Sequence, residues 1–472
     1  MAGVDLGRLA PVTDRLAGAF AQAGHPLYLV GGPVRDLMLG EISEDLDFTT
    51  PATPDAIEAV VAPLGGPVWD IGREFGTIST LVDAPEGPCR VEITTFRSDA
   101  YEPGSRKPEV RYGDTIEEDL KRRDFTINAM AIDLADGRLV DPYGGRADLA
   151  EGVIRTPGTA EMSFSDDPLR MMRAARFAAR LGFRPTTDVV GAMMAMTDRL
   201  AIVSAERIRD EFTKLLLTDT PRIGLDLLVG TGLAGVFLPE LPALKLEVDE
   251  HHHHKDVYQH SLTVLDQAIK LEKQRNHTPD IVTRLAALLH DIGKPKTRRL
   301  EPGGQVSFYH HDLVGAKLAA KRLTELRYPG HVVDSVVELI RLHLRFHGYG
   351  EAQWTDSAVR RYVRDAGPEL ERLHILTRSD CTTRNKAKAE RLRRAYEELE
   401  WRIDELNAQE ELDSIRPDLD GNQIMAILGI PPGPAVGQAY AFLLERRLDR
   451  GPVSTDEATA ELVAWWEQRQ GA

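Results

Sequence analysis

HPLYLVGGPVRDLMLG, residues 25–40, and DLDF, residues 45–48, decide how this chain is read. The first is an apolar strand pattern, then Gly31-Gly32, then a helical pattern opening at Pro33, where proline suits the first turn. Backbone N–H groups at a helix start form an anion site, glycine lets a ligand approach the chain, and Arg35 adds a fixed positive charge. Taken alone, the junction also reads as a plain tight turn, since Gly-Gly turns are common. Asp45 and Asp47 shift that reading. In a strand, residues i and i+2 share a face roughly 7 Å apart, so both carboxylates reach one pair of divalent ions. Two-metal phosphoryl transfer needs such a pair: one ion activates an attacking hydroxyl and the other steadies the leaving phosphate oxygens. Glu92, on the strand RVEITTFR (90–97), reads either as a third carboxylate of this set or as a polar residue on the solvent face.

Working outward, the first ~150 residues alternate short β-rich runs with helical patterns and Gly/Pro punctuation, which predicts a small α/β domain. The predicted strands are Tyr28–Val30, Leu46–Thr49, Thr77–Val82, Arg90–Phe96 and Asn128–Asp133. From about Met162 to Pro239 the periodicity is helical, with no strand signal. Residues 256–385 continue as helices carrying most of the histidines, and 386–450 holds a long charged helix before the turn signals PDLDGN and GIPPGP. Residues 98–115, SDAYEPGSRKPEVRYGDT, read as a flexible loop of the kind that closes over active sites. His251–His254 lies mid-chain and is not read as an expression tag.

With 472 residues the chain exceeds the ~250–300 at which one core stops growing, so several domains are expected. No apolar run approaches the ~20 residues that span a bilayer, so no membrane partner is expected. The start MAGVDLGRLAPVTDRL lacks the pattern of a signal peptide, and Cys89 and Cys381 are the only cysteines, which fits a reducing cytoplasm. A net charge of −16 argues against broad nonspecific binding to nucleic acid. The arginines are nevertheless clustered, as RMMRAARFAARLGFR at 170–184 and RSDCTTRNKAKAERLRR at 378–394, so local basic patches remain open.

Asp167, Arg170, Arg173 and Arg176 recur every three residues, which on a helix makes one slanting stripe. The stripe reads as a solvated basic face or as a ligand-binding face, and Met171, Met172 and Phe177 between its members read as core. LVGGPVRD, DLDF, RRDFTINAMAID (122–133) and DDPLRMMRAARFAARLGF (166–183) together resemble the class II tRNA nucleotidyltransferase/poly(A) polymerase family of the DNA polymerase β superfamily. The resemblance covers roughly residues 25–240. It implies an α+β architecture: a polymerase-β-type head (1–155), an all-α neck with a nucleotide-reading helix (156–245), an HD-type helical body (256–385) and a helical tail (386–472). It further implies a triphosphate held by Gly32 and Arg35, Mg2+ on Asp45 and Asp47, and a nucleotide steadied by Arg123, Asp124 and Asn128. Asp167 and Arg170 become the base readers, supported by Arg173 and Arg176. Asp166 departs from the glutamate usual in the family, next to the reading pair.

His260 shares a helical face with Val257, Val264 and Ala268, so it points into a bundle. His290-Asp291 ends the apolar helix RLAALLHDIGK, His343 aligns with Val336, Leu339 and Ile340, and Asp380 aligns with Leu373 and Leu376. An ordered set of inward imidazoles and carboxylates has metal-ligand character. The order resembles the HD phosphohydrolase superfamily, which implies a second divalent metal on His260, His290, Asp291 and Asp380. His310 or His311, and His343, are the extra ligand candidates; a metal-free structural domain is the other reading.

The resemblance implies addition of C, C and A to the tRNA 3′ end from CTP and ATP. A poly(A) polymerase or a partial C- or A-adding enzyme keeps nearly the same motifs. An HD nucleotide phosphohydrolase and a noncatalytic RNA-binding protein are the readings from other classes, and the intact Asp45, Asp47, Asp167 and Arg170 set argues against both.

Overall fold

The computed structural model describes residue 4 and residues 6–43, 45–70, 72–85, 87–97, 113–246, 256–302, 306–346, 354–383, 385–410 and 415–470. Most of the loop expected at 98–115, and His251–His254, lie outside the described residues. The chain divides into two compact units, Met1–Pro239 and Glu240–Ala472.

The first unit is built on a seven-stranded sheet: β1 (Tyr28–Val30), β2 (Leu46–Thr50), β3 (Val68–Trp69), β4 (Thr77–Ala84), β5 (Gly87–Thr95), β6 (Ala131–Asp133) and β7 (Leu139–Val140). Their order is β3-β4-β5-β2-β1-β6-β7, with β2 and β5 parallel and every other neighbouring pair antiparallel. Alternation sets the faces. In β2, Leu46 and Phe48 are buried, while Asp47 between them is partly buried on the other side. Two expectations are corrected here. Asp45 precedes β2 in a bend rather than lying on the strand, and Asn128 belongs to a 3-10 turn, Thr126–Asn128, because β6 pairs with β1 only from Ala131 onward.

The helical remainder of this unit includes Ala160–Asp166, Leu169–Leu181, Ala205–Leu216 and Pro221–Gly230. One short strand, Arg184–Pro185, interrupts it by pairing in parallel with Val153–Ile154, a two-residue signal too brief for periodicity to register. Met171, Met172, Ala175 and Phe177 are buried, so the 169–181 helix is a core helix despite its four arginines beyond Leu169.

In the second unit the helices Val257–Gln274, Ile281–Leu289, His311–Glu325, Gly330–Leu342 and Leu370–Asp380 surround a core that includes the fully buried pair Arg284–Glu272 at 2.9 Å. A two-stranded hairpin, Arg299–Leu300 with Val306–Ser307, was not legible in the helical pattern. The long charged helix is Lys386–Glu410. The turn signal at 417–422 becomes a capping box, Asp420 with Gln423, that starts the helix Gly421–Leu428. That helix packs with Pro434–Arg450 and Thr455–Gln470 around Leu419, Ile424, Leu443 and Leu462.

Candidate active site

Gly31 caps the helix Gly32–Met38 with φ 76°, a conformation glycine adopts freely, and a Cβ there would stand 3.0 Å from Arg123 Nη1. The strand-to-helix turn therefore lets Arg123 lie against the chain. A cleft of about 570 Å³ opens beside it, and Gly32, Arg35, Asp45, Asp47, Arg123, Asp124 and Asn128 line it together with Asp167, Arg170, Arg173 and Arg176. Of the residues expected at the nucleotide site, only Glu92 is missing from this lining. Glu92 is the parallel-register partner of Asp47 on β5 and pairs with Arg90 at 2.9 Å.

Burial raises the Asp47 carboxyl to about 6; Arg123 opposes this, while Glu92 and Asp45 push it further up. Three carboxylates thus repel one another, two of them lining the cleft, and a cation there would relieve both the desolvation and the repulsion. This fits Asp45 and Asp47 as holders of divalent metal.

Behind the cleft runs a chain of charge-assisted bonds. Arg35, buried, donates from Nε and Nη2 to Asp36 Oδ1 and from Nη1 to Asn128 Oδ1 at 2.6 Å. Asn128 Nδ2 donates to Asp124 Oδ1 at 3.0 Å, and Arg173 Nε donates to Asp124 Oδ2 at 2.8 Å. Arg173 also pairs with Glu211 at 3.3 Å, and Arg176 Nε donates to the other Glu211 oxygen at 2.6 Å. Burial alone would raise Asp124, but Arg173 and the Asn128 bond hold it at about 2, so it stays ionised.

The base-reading pair requires a correction. Asp167 is not on the helix with Arg170: its φ and ψ are −140° and 102°, Pro168 follows as the N-cap, and the helix begins at Leu169. Proline restricts the residue before it to extended backbone, which takes Asp167 out of the helical stripe. Its carboxylate is fixed instead by the Leu169 N–H at 3.1 Å and by Arg207 Nη2 at 2.7 Å. Arg170 donates to Ser163 Oγ at 2.9 Å and to the Arg122 carbonyl. Both side chains still line the same cleft.

Sequence reasoning missed Arg180, Arg207 and Lys214, which also line it. Arg180 pairs with Asp36 at 3.4 Å. Arg207, Glu211 and Lys214 recur at i, i+4 and i+7 in ERIRDEFTKLLL, a helical charge stripe that the spacing of these residues alone makes legible.

In the second unit, His260, His290 and Asp380 form one triad of ligand atoms, and Asp291, His311 and His343 form another. His260 Nε2 lies 2.9 Å from Asp380 Oδ1, and His311 Nε2 lies 3.3 Å from Asp291 Oδ1. Asp291 Oδ2 faces the other triad, 3.2 Å from His290 Nε2 and 3.5 Å from His260 Nε2. The Nδ1 atoms of His290, His311 and His343 contact the carbonyls of Ala287, Phe308 and Ile340, so each ring donates there and leaves Nε2 as the ligand atom. Asp291 Oδ2 is buried and makes no hydrogen bond, and the Lys294 ammonium stands 3.0 Å from it as an ion pair. That orphaned oxygen among four converging imidazoles fits a metal cluster. Of the two alternatives at 310–311, His311 joins it; His310 is exposed, with φ 63°.

A mixed sheet that offers paired carboxylates beside a Gly-Gly helix start, with a guanidinium-lined cleft, defines a nucleotidyltransferase. Family models agree along the chain: "Poly A polymerase head domain" matches residues 27–155, "Probable RNA and SrmB- binding site of polymerase A" matches 182–244, and "HD domain" matches 257–385. The chain is 35% identical to the A-adding tRNA nucleotidyltransferase of Deinococcus radiodurans, over 94% of this chain and 96% of that one. It is 32% identical to the CC-adding tRNA nucleotidyltransferase of Thermus thermophilus, over 92% and 93% of the two chains. The solved structure of the Bacillus stearothermophilus CCA-adding enzyme in complex with CTP superposes with a TM-score of 0.67 at 26% identity, covering 99% of this chain and 100% of that one. The chain belongs to the tRNA nucleotidyltransferase/poly(A) polymerase family, whose members are metal-dependent enzymes. Among the described residues, no helix is long and apolar enough to cross a membrane.

Proposed function

We propose that this enzyme adds C, C and A in turn to the 3′ end of tRNA in the cytoplasm, from CTP and ATP, without a template. One observation carries the reading: a single cleft is lined both by the carboxylates suited to metal, Asp45 and Asp47, and by the base-reading pair, Asp167 and Arg170. Mg2+ held by Asp45 and Asp47 would supply charge neutralisation at the reacting phosphate. Gly32 and Arg35 border the phosphates, and Arg123, Asp124 and Asn128 hold the nucleotide against the head. Cytosine and adenine both present an amino donor beside an unprotonated ring nitrogen, which a carboxylate and a guanidinium read in turn. Uracil and guanine present the reverse, so the guanidinium meets a donor and the carboxylate meets an acceptor.

Whole-chain sequence similarity favours a second reading, partial addition of A alone or of CC alone, the CC-adding relative aligning over 92% of this chain. The A-adding relative aligns over 94% of this chain, whereas the CCA-adding enzymes of Geobacillus thermodenitrificans and Bacillus subtilis align over 46% and 45%. Incubation with Mg2+ and labelled CTP or ATP on tRNA ending at the discriminator base, at C or at CC separates the two. Three-nucleotide extension of the shortest tRNA supports CCA addition, a stop after two nucleotides supports CC addition, and extension of the CC-ended tRNA alone supports A addition.

In the second unit, His260, His290 and Asp380 would hold one divalent ion and His311 and His343 a neighbouring one, with Asp291 reaching both. Such a centre fits hydrolysis of phosphate esters. Metal analysis of a variant lacking Asp45 and Asp47 isolates it: one or two tightly held ions per chain support the assignment, and none makes the HD domain structural.

A further inference from the structure

Phe177 is buried, 2% exposed, and three guanidiniums stand against its ring. The guanidinium carbons of Arg35, Arg173 and Arg176 lie 5.2, 5.5 and 4.3 Å from the centre of its ring. Phe125, from the RRDFTINAM segment of the head, meets the same ring edge-on at 5.8 Å and 86°. Each guanidinium is pinned a second time by a carboxylate: Arg35 by Asp36, Arg173 by Asp124 and Arg176 by Glu211. Two independent constraints, the ring and a carboxylate, therefore fix where each cation stands.

A buried phenyl ring neither donates nor accepts a hydrogen bond, so it keeps water from the cations while its negative face attracts them. Three guanidiniums around one ring would repel one another strongly unless matched by anions. Their own carboxylates match them on one side. On the other they border the cleft, where a ligand carrying several negative charges a few ångströms apart completes the match. A base or a sugar offers no such charge.

We infer that Phe177 is a positioning residue for the triphosphate of the incoming nucleotide, acting through Arg35, Arg173 and Arg176. The inference rests on the proposed binding of nucleotide in this cleft. The ring orders the cations before the ligand arrives, so its contribution falls on affinity for the triphosphate and not on choice of base.

The test compares wild type with Phe177→Leu and Phe177→Met, which keep apolar volume and remove the ring, and Phe177→Tyr, which keeps it. Calorimetric binding of inorganic tripolyphosphate needs no turnover, and steady-state addition to tRNA gives KM and kcat. The ring-less variants should bind tripolyphosphate about tenfold more weakly and raise KM for CTP and ATP alike by a similar factor, with kcat and base preference held. Tyrosine should restore both. If the leucine variant does not fold, methionine carries the comparison. Unchanged tripolyphosphate affinity in a folded ring-less variant overturns the inference and leaves Phe177 as core. A wild-type protein that binds neither CTP nor tripolyphosphate overturns the cleft reading itself, which is a different result.

Discussion

Asp47 carries two opposed demands, and they can be measured apart. Its carboxyl, raised to about 6, lies above the ordinary 3.8 of an unfolded chain. A raised carboxyl contributes stability below its unfolded value and loses it as pH rises through the folded one, so ionised Asp47 destabilises the metal-free head above about pH 6. In chelator, Asp47→Asn should therefore melt higher than wild type at pH 7.5, by on the order of 1–2 kcal/mol after solvent screening, and the gain should shrink toward pH 4.5. The same variant should lose ~10²–10³ or more in turnover with tRNA binding retained. A melting curve no higher than wild type at pH 7.5 would remove the crowded-carboxylate account. At the reading pair, exchanging the partners as Asp167→Arg with Arg170→Asp, or softening Asp167→Asn, should move preference toward UTP and GTP. Incorporation of all four nucleotides is the readout, and retention of the wild-type margin for CTP and ATP would show that these residues do not read the base. Arg207 now enters that expectation, because it grips the carboxylate proposed to read the base.

Two helix junctions set the geometry of the two sites. At Gly31, φ is 76° and a Cβ would press on Arg123 Nη1. Gly31→Ala should cost about 1–2 kcal/mol of head stability from backbone strain and raise KM for nucleotide, because Arg123 must move. A variant with both unchanged would show that the close approach does not matter. Gly293, in the HDIGK segment, is tighter still: a Cβ there would meet the His311 carbonyl oxygen at 2.1 Å. Gly293→Ala should separate the helix end bearing His290 and Asp291 from the helix beginning at His311. Loss of tightly bound metal from the second unit, with nucleotide addition preserved, is the expected outcome, and metal content equal to wild type would contradict it.

Across the molecule, the nucleotide cleft is lined by residues of Met1–Pro239 and the histidine cluster by residues of Glu240–Ala472. Their chemistry should separate accordingly. His290→Ala should abolish metal retention and any phosphatase or 2′,3′-cyclic phosphodiesterase activity, while nucleotide addition stays within about threefold of wild type, since sites without shared partners behave additively. Wild-type protein without hydrolysis in Mg2+, Mn2+, Ni2+ or Co2+ would leave the HD domain structural. The net charge of −16 accommodates a nucleic-acid enzyme because eight arginines line one cleft.

What the sequence by itself determined is whatever depends on spacing of a few residues. Gly31-Gly32 before a helix, Asp45 and Asp47 two apart, and histidines on apolar helical faces each state a chemistry locally, and the β1, β2 and β4 strand starts were legible from alternation and punctuation. Proline at 168 also sat in plain view, yet the three-residue recurrence of Asp167 with the arginines masked its effect on the backbone. Tertiary structure alone decided which distant charges pair. Glu211 lies far along the chain from Asp124 and Asn128, and only the packing of the 169–181 helix against the head and the 205–216 helix brings them to one set of guanidiniums. Likewise, nothing in the order of the histidines reveals that Asp291 presents one oxygen to each triad. Periodicity reports which way a side chain faces relative to its own element. Burial of a charge is tolerated only when a counter-charge arrives from another element, and that partner is fixed by the fold.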